Sequence, residues 1–221
     1  MDDPGTAIEP TGRSAVAGRF TPVFVMLVVM WVVELIDLVL RGRLDRFGIR
    51  PRQLEGLLGI VVAPFLHDGF VHLLTNTVPF VLLGVAIAVS GPRTFGTVTV
   101  VVAVVGGAGT WLFGAADTVH VGASSLVFGY VTYLIARGFF ARRVTYVLGG
   151  FVVVVLYGGV LWGVVPRPGI SWQGHLFGAI GGVVAAAVVH ADRDAGGVGS
   201  ARAIDPAAPR PRRWYEPPEL P

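Results

Sequence analysis

GFVHLLTNTVPFVLLGVAIAVSGP, residues 69–92, runs for 24 positions without a single Asp, Glu, Lys or Arg. Crossing the hydrocarbon core of a bilayer takes about 20 predominantly apolar residues, so this stretch is long enough to span. Four more uncharged stretches follow it, at 94–116, 118–136, 144–166 and 168–191. Another precedes it at 20–40, interrupted only by Glu34 and Asp37. The pattern predicts an all-α polytopic membrane protein with six transmembrane helices, and therefore with both termini on one side.

Composition points the same way. Of the 221 residues, 53% are hydrophobic and 14% charged, with a mean hydropathy of +0.70; soluble domains carry about 25% charged residues. The 31 glycines suit closely packed membrane helices. The net charge is +3, and all 17 basic residues are Arg, scattered between apolar segments rather than gathered on one face. That distribution argues against nucleic-acid binding. The absence of cysteine excludes disulfides, Cys-ligated metals and thiol catalysis. An acidic start, Met1-Asp2-Asp3, and a first apolar run too long for a secretory h-region argue against a cleaved signal peptide.

The connections are short except for residues 41–66, which hold five Arg and end in the apolar run 57–66, a composition suited to the membrane interface. Arg19, Arg93, Arg137, Arg142, Arg143 and Arg193 lie on the terminal side, while the five loop arginines and Arg167 lie opposite. Arg137, Arg142 and Arg143 form the most compact cluster, which tips the reading towards cytoplasmic termini in the plasma membrane. The expected organisation is an N-terminal cytoplasmic tail at 1–19, a six-helix membrane domain at 20–192 and a Pro-rich, disordered tail at 193–221.

Polar groups inside a bilayer are costly, which makes each a candidate site. His72 and Asn76 lie on the second predicted span, Ser124 and Ser125 on the fourth, His175 on the sixth. Even-numbered spans run in the same direction, and each polar group falls within about two turns of its helix start, roughly 5–10 Å below the surface at 1.5 Å per residue. His72 and Asn76, spaced i, i+4, share a face and can both donate to a developing oxyanion; the plainer alternative is an interhelical hydrogen bond. Ser124, in Gly122-Ala123-Ser124-Ser125, sits near a helix N-terminus whose free N–H groups favour negative charge. A serine nucleophile needs a base, and His175 is the intramembrane His at matching depth on another helix. Glycines at 178, 181 and 182 would let its helix approach closely. The bland readings are a packing serine and a buried neutral histidine.

Together these residues resemble the rhomboid family of intramembrane serine proteases, over roughly residues 50–190. Three segments carry the resemblance: Pro64-Phe65-Leu66-His67-Asp68-Gly69-Phe70-Val71-His72-Leu73-Leu74-Thr75-Asn76, followed by Gly84; Gly122-Ala123-Ser124-Ser125-Leu126-Val127-Phe128-Gly129-Tyr130; and Trp172-Gln173-Gly174-His175-Leu176-Phe177-Gly178. The resemblance implies a rhomboid-type six-helix bundle and a Ser124–His175 dyad without a third carboxylate. It also implies an oxyanion hole from His72, Asn76 and the Ser124 N–H, and an aromatic ring, Phe128, against His175. The implied partners are the lipid bilayer and single-span membrane protein substrates, with no metal, cofactor or nucleic acid; the oligomeric state is left open. Two positions depart from the family pattern. Ser125 replaces the Gly that usually follows the nucleophile, and Arg50-Pro51-Arg52 stands where a Trp-Arg pair is common.

Other polar residues have simpler explanations. Glu34 and Asp37 are expected to snorkel or to pair with loop arginines, Asp117 and His120 to be solvated, and His190 to meet the interface. Tyr130, Tyr133 and Trp162 read as packing or interfacial residues. No H-E-x-x-H motif supports a metalloprotease. Two alternatives to the protease reading are an inactive rhomboid-like protein that binds transmembrane clients and a small transporter. The transporter has no internal repeat in its favour.

Overall fold

The computed structural model describes residues 12–142, 144–167 and 169–202. The Pro-rich stretch after residue 202 and residues 1–11 lie outside the described residues. Among the described residues seven α-helices follow in this order: α1 (Gly12–Leu40), α2 (Gly59–Val62), α3 (Phe70–Ala88), α4 (Pro92–Phe113), α5 (Ser124–Ala141), α6 (Val144–Tyr157) and α7 (Trp172–Arg202). Short 3-10 turns occupy the first loop, and another, Gly158–Val164, continues α6. Among the described residues there is no strand, only an isolated antiparallel bridge between Ile49 and His120. By contacts the chain divides into Met1–His190, which contains every residue of the site below, and Ala191–Pro221, helical as far as it is described.

Among the described residues, five helices are long and apolar enough to cross a membrane: Gly18–Leu40, Phe70–Ala88, Pro92–Phe113, Ser124–Ala141 and Trp172–Asp192. The fifth predicted span, 144–166, takes a different form. Its α-helical part, Val144–Tyr157, is 14 residues long, and the 3-10 turn Gly158–Val164 adds seven more. A 3-10 turn rises about 2.0 Å per residue, so the extension supplies length that the α-helix lacks.

The helix ends follow local chemistry. Val89-Ser90-Gly91 separates α3 from α4, with Gly91 at φ +111° and Pro92 at the first helical position, where its missing N–H costs nothing. The fourth predicted span, 118–136, starts later and ends later than expected. Thr118–Ala123 is loop, and α5 continues past Arg137 to Ala141. Arg137 is buried, and its guanidinium lies 3.8 Å above the Tyr146 ring of α6. The aromatic face takes the charge in place of water, so the helix does not stop at the arginine.

Helix α5 is the centre of the bundle. Leu126, Tyr130, Val131 and Tyr133 are fully buried among side chains of α3, α4 and α7. The Tyr130 hydroxyl shares a 2.7 Å hydrogen bond with Thr99 of α4, and its ring packs against Phe80 and Phe95. Exposed apolar residues lie at the periphery, on α1 (Val25, Val28, Val32, Leu35, Val39) and α6 (Leu148, Phe151, Val152, Val155). Faces like these belong against lipid tails. Glu34 and Asp37 are not among them: they are 4% and 5% exposed, and the Asp37 carboxylate accepts the Leu44 N–H.

Small residues bring α7 onto α4 and α5. A Cβ placed on Gly178 would strike the Ser125 backbone, one on Gly182 the Gly129 carbonyl, and one on Gly181 the Val102 backbone at 3.0 Å. The first loop is pinned to the far end of α4. Arg52 donates to the carbonyls of Leu112 (3.1 Å) and Gly114 (2.8 Å), which would otherwise be orphaned at the helix C-terminus. Trp111 Nε1 donates to the Gln53 carbonyl at 2.8 Å.

Candidate active site

The start of α5 is set by Gly122-Ala123. Gly122 has φ +109°, a conformation favouring glycine, and a Cβ there would lie 2.7 Å from His72 Cε1 and 2.8 Å from His72 Nε2. Glycine is thus required twice, by backbone and by space. The Gly122 N–H donates to the Ala63 carbonyl at 2.9 Å, and the Ala123 N–H donates to His67 Nε2 at 3.3 Å. His67, 1% exposed, thereby anchors the peptide just before Ser124. Burial and the neighbouring His72 push its pKa down to about 4, so it is neutral and able to accept.

Ser124 is the first residue of α5. Its N–H is one of the first-turn donors that no intrahelical carbonyl can reach. Its hydroxyl lies 2.9 Å from His175 Nε2, on the first turn of α7. The other ring nitrogen, Nδ1, lies 2.8 Å from the Gly163 carbonyl in the 3-10 turn after α6. A carbonyl can only accept, so Nδ1 carries the proton and Nε2 is left to accept from Ser124. The imidazole stacks on Phe128, with centroids 4.2 Å apart and planes at 7°. Three elements, α5, α7 and the 3-10 turn, therefore fix one ring.

His72 and Asn76 line the same cavity of about 580 Å³ as Ser124, Phe128 and His175. The Asp68 N–H points at His72 Nδ1 at 3.4 Å. That contact assigns the proton to Nε2, the nitrogen lying over Gly122. Asn76 Nδ2 donates to the His72 carbonyl of its own helix at 2.9 Å, which leaves its second N–H. The four predicted site residues are thus brought together around one cavity. Ser125 is turned elsewhere: a Cβ on Gly106 of α4 would lie 3.6 Å from its Cβ. It lines a small adjoining cavity of about 20 Å³, which Ser124 also borders, rather than the cleft.

Two features of the site were not singled out from the sequence. Gly163 provides a backbone carbonyl, which every residue possesses, so nothing in its side chain marks it. His120, read as a solvated loop residue, is half-buried and bonded to Ser171; a Ser just before a helix was the available signal. No group of three or more His, Cys, Asp or Glu able to hold a metal is present among the described residues.

Chemically, the arrangement joins a hydroxyl to a neutral imidazole of fixed tautomer, beside several N–H donors, on membrane helices. The rhomboid domain model matches residues 54–192. The chain belongs to the rhomboid family. An uncharacterized protein of Mycobacterium tuberculosis is 41% identical over 197 residues, covering 85% of this chain and 81% of that one. An uncharacterized protein of Mycobacterium leprae is 43% identical over 178 residues, covering 76% and 70%. A Bacillus subtilis protein named "Putative rhomboid protease YdcA" is 30% identical over 125 residues, covering 56% and 62%. As a member of this family the chain is an integral, multi-pass membrane protein.

Proposed function

We propose that this rhomboid is an intramembrane serine endopeptidase that cleaves single-span membrane proteins with a Ser124–His175 dyad. The observation that carries the reading is the 2.9 Å contact between Ser124 Oγ and an imidazole whose other nitrogen is held by Gly163. In the first step Ser124 Oγ attacks the scissile carbonyl while its proton passes to His175 Nε2. The oxyanion that forms is met by the Ser124 N–H, His72 Nε2–H and the free Asn76 N–H. The Gly163 carbonyl, holding Nδ1–H, does the orienting that a carboxylate does in a triad. Collapse breaks the C–N bond, and the imidazolium gives its proton to the leaving amine. Water then attacks the Ser124 ester, passing its proton to His175, and the freed Ser124 oxygen takes that proton back.

Substrate segments would enter near the helix starts, where the site lies at the membrane edge and a helix with small or helix-breaking residues can unwind. Cytoplasmic termini and a plasma-membrane location accompany this reading, on the Arg137–Arg142–Arg143 cluster. In this reading the polar stretches 1–19 and 193–221 are tails outside the catalytic domain.

The test compares purified wild type, Ser124→Ala and His175→Ala in liposomes on a fluorogenic single-span substrate. Cleavage by wild type alone is the expected result. Cleavage by both wild type and Ser124→Ala would refute Ser124 as nucleophile. Failure of folded wild type across several substrates would favour the client-binding reading.

A further inference from the structure

We propose that His120 is a positioning residue for His175. Its hydrogen bond to Ser171 ties the loop before α5 to the residue that starts α7, and so sets the spacing of the dyad. This inference rests on the proteolytic reading above and adds to it a residue outside the dyad and the oxyanion hole.

Four hydrogen bonds fix His120. Its backbone N–H donates to the Ile49 carbonyl and its carbonyl accepts from the Ile49 N–H, both at 2.9 Å. On the ring, Nε2 lies 2.9 Å from Thr118 Oγ1, and Nδ1 lies 2.7 Å from Ser171 Oγ. Burial lowers the His120 pKa below its ordinary value. The neutral ring therefore offers one donor and one acceptor to two hydroxyls that can each play either part.

Ser171 is the other half of the tie. It directly precedes Trp172, the first residue of α7, and its carbonyl accepts the His175 N–H at 3.1 Å. Serine in that place commonly turns its hydroxyl onto the N–H groups of the first turn; here the hydroxyl meets His120. Room for it is left by Gly174, where a Cβ would lie 2.8 Å from Ser171 Oγ. His120 is four residues before Ser124, and Ser171 four before His175. The bond between them thus joins the two catalytic helices on the loop side of the dyad. On the other side the same helices are joined by glycine contacts at Gly178 and Gly182. Without the His120–Ser171 bond, α7 is held to α5 from one side alone, and the His175 ring gains freedom to leave Ser124.

The experiment uses the full chain in liposomes with the fluorogenic substrate, a fluorophosphonate probe for Ser124, and hydrogen exchange of amides 171–175. Ser171→Ala and His120→Gln should each lower kcat about tenfold with little change in KM, since alignment rather than binding is lost. The double variant should be no slower than either single one, because both remove the same bond. His120→Asn should retain most of the rate, since its amide reaches the position of Nδ1 while that of Gln reaches Nε2. Exchange at 171–175 should quicken in Ser171→Ala and not in His120→Asn. Additive losses, or equal rates for the Asn and Gln variants, would overturn the positioning role; unchanged exchange in Ser171→Ala would overturn the tie itself. A wild type that neither cleaves nor labels refutes the proteolytic reading and the catalytic half of this inference together. A reactive wild type matched by its variants refutes the inference alone.

Discussion

Gly163→Ala isolates the contribution of the histidine's orientation. Gly163 has an ordinary φ, so alanine is permitted by the backbone, and the effect of the added methyl is steric. A Cβ there would lie 2.7 Å from Phe128 Cζ and 3.0 Å from His175 Nδ1. These fall about 0.7 and 0.4 Å short of the 3.4 Å at which ordinary contact begins. The imidazole cannot retreat along its stacking direction, because Phe128 lies flat against it at 4.2 Å. Either the stacked Phe128 and His175 rings or the 3-10 turn must shift by several tenths of an ångström, and the bond to the Gly163 carbonyl shifts with them. A misplacement of 1 Å at a reacting group can cost about 10²-fold in rate, so a displacement near half of that should lower kcat about tenfold. The assay is turnover of the fluorogenic substrate in liposomes, beside the rate of fluorophosphonate labelling at Ser124 and a thermal melt. The expected result is slow turnover and slow labelling with the melt nearly unchanged. Wild-type turnover by a folded Gly163→Ala protein would show that the Gly163 carbonyl does not govern the dyad.

Three further outcomes follow from the packing and the charges. Ser125→Gly should keep most of the activity, measured as kcat on the same substrate, because Ser125 lines the small cavity and not the cleft. Tyr130→Phe should cost about 0.6 kcal/mol of unfolding free energy in mixed micelles, a usual worth for an interhelical hydrogen bond such as that to Thr99. For His67, burial lowers the folded-state pKa from 6.5 to about 4. Between those values the unfolded chain binds a proton that the folded one does not. His67 should therefore cost stability as pH falls from 6.5 towards 4, by up to about 1.4 kcal/mol per pH unit, and have no effect above 6.5. Melting temperatures from pH 7.5 to 5 should fall more steeply for wild type than for His67→Gln, whose amide oxygen can still accept the Ala123 N–H; parallel curves would rule this out.

Much of this architecture is legible in the chain because lipid imposes a simple code. An uncharged run of about 20 residues has to be a helix if it spans, and α3, α4 and α7 begin within a few residues of where the runs do. Boundaries depart from composition where a side chain finds a partner that composition does not show. Arg137 suggested a helix end, but the Tyr146 ring from the next helix takes its charge. Thr118, Val119, His120 and Val121 look apolar enough to enter a span, yet Ile49 of the first loop pairs with His120 and holds the segment as a loop. At the site, residue types with unusual membrane cost stood out, which is why Ser124, His175, His72 and Asn76 could be picked individually. The Gly163 carbonyl could not, and neither could the His120–Ser171 bond, because each is a product of where the loops return in space.

Glycine spacing links these two kinds of information. With no Cβ at 178 and 182, the α7 backbone rests directly on Ser125 and Gly129 of α5. At that separation a serine at the start of one helix and a histidine on the first turn of the other meet at 2.9 Å. Larger residues would separate the helices by more than that bond can stretch. The same closeness explains why serine is accommodated at 125, where the family pattern has glycine. Gly106 of α4 and Gly178 of α7 both face Ser125, so the extra atoms lie between helices and leave the cleft unobstructed. A double variant tests this accommodation. Gly106→Ala should slow turnover in the wild-type background, because its methyl would press on the α7 backbone, 3.3 Å from Gly178 Cα, while its 3.6 Å separation from the Ser125 Cβ is ordinary contact. Adding Ser125→Gly should therefore leave that reduced rate unchanged. Partial rescue by Ser125→Gly would show that the serine side chain, rather than the α7 backbone, limits the space at Gly106.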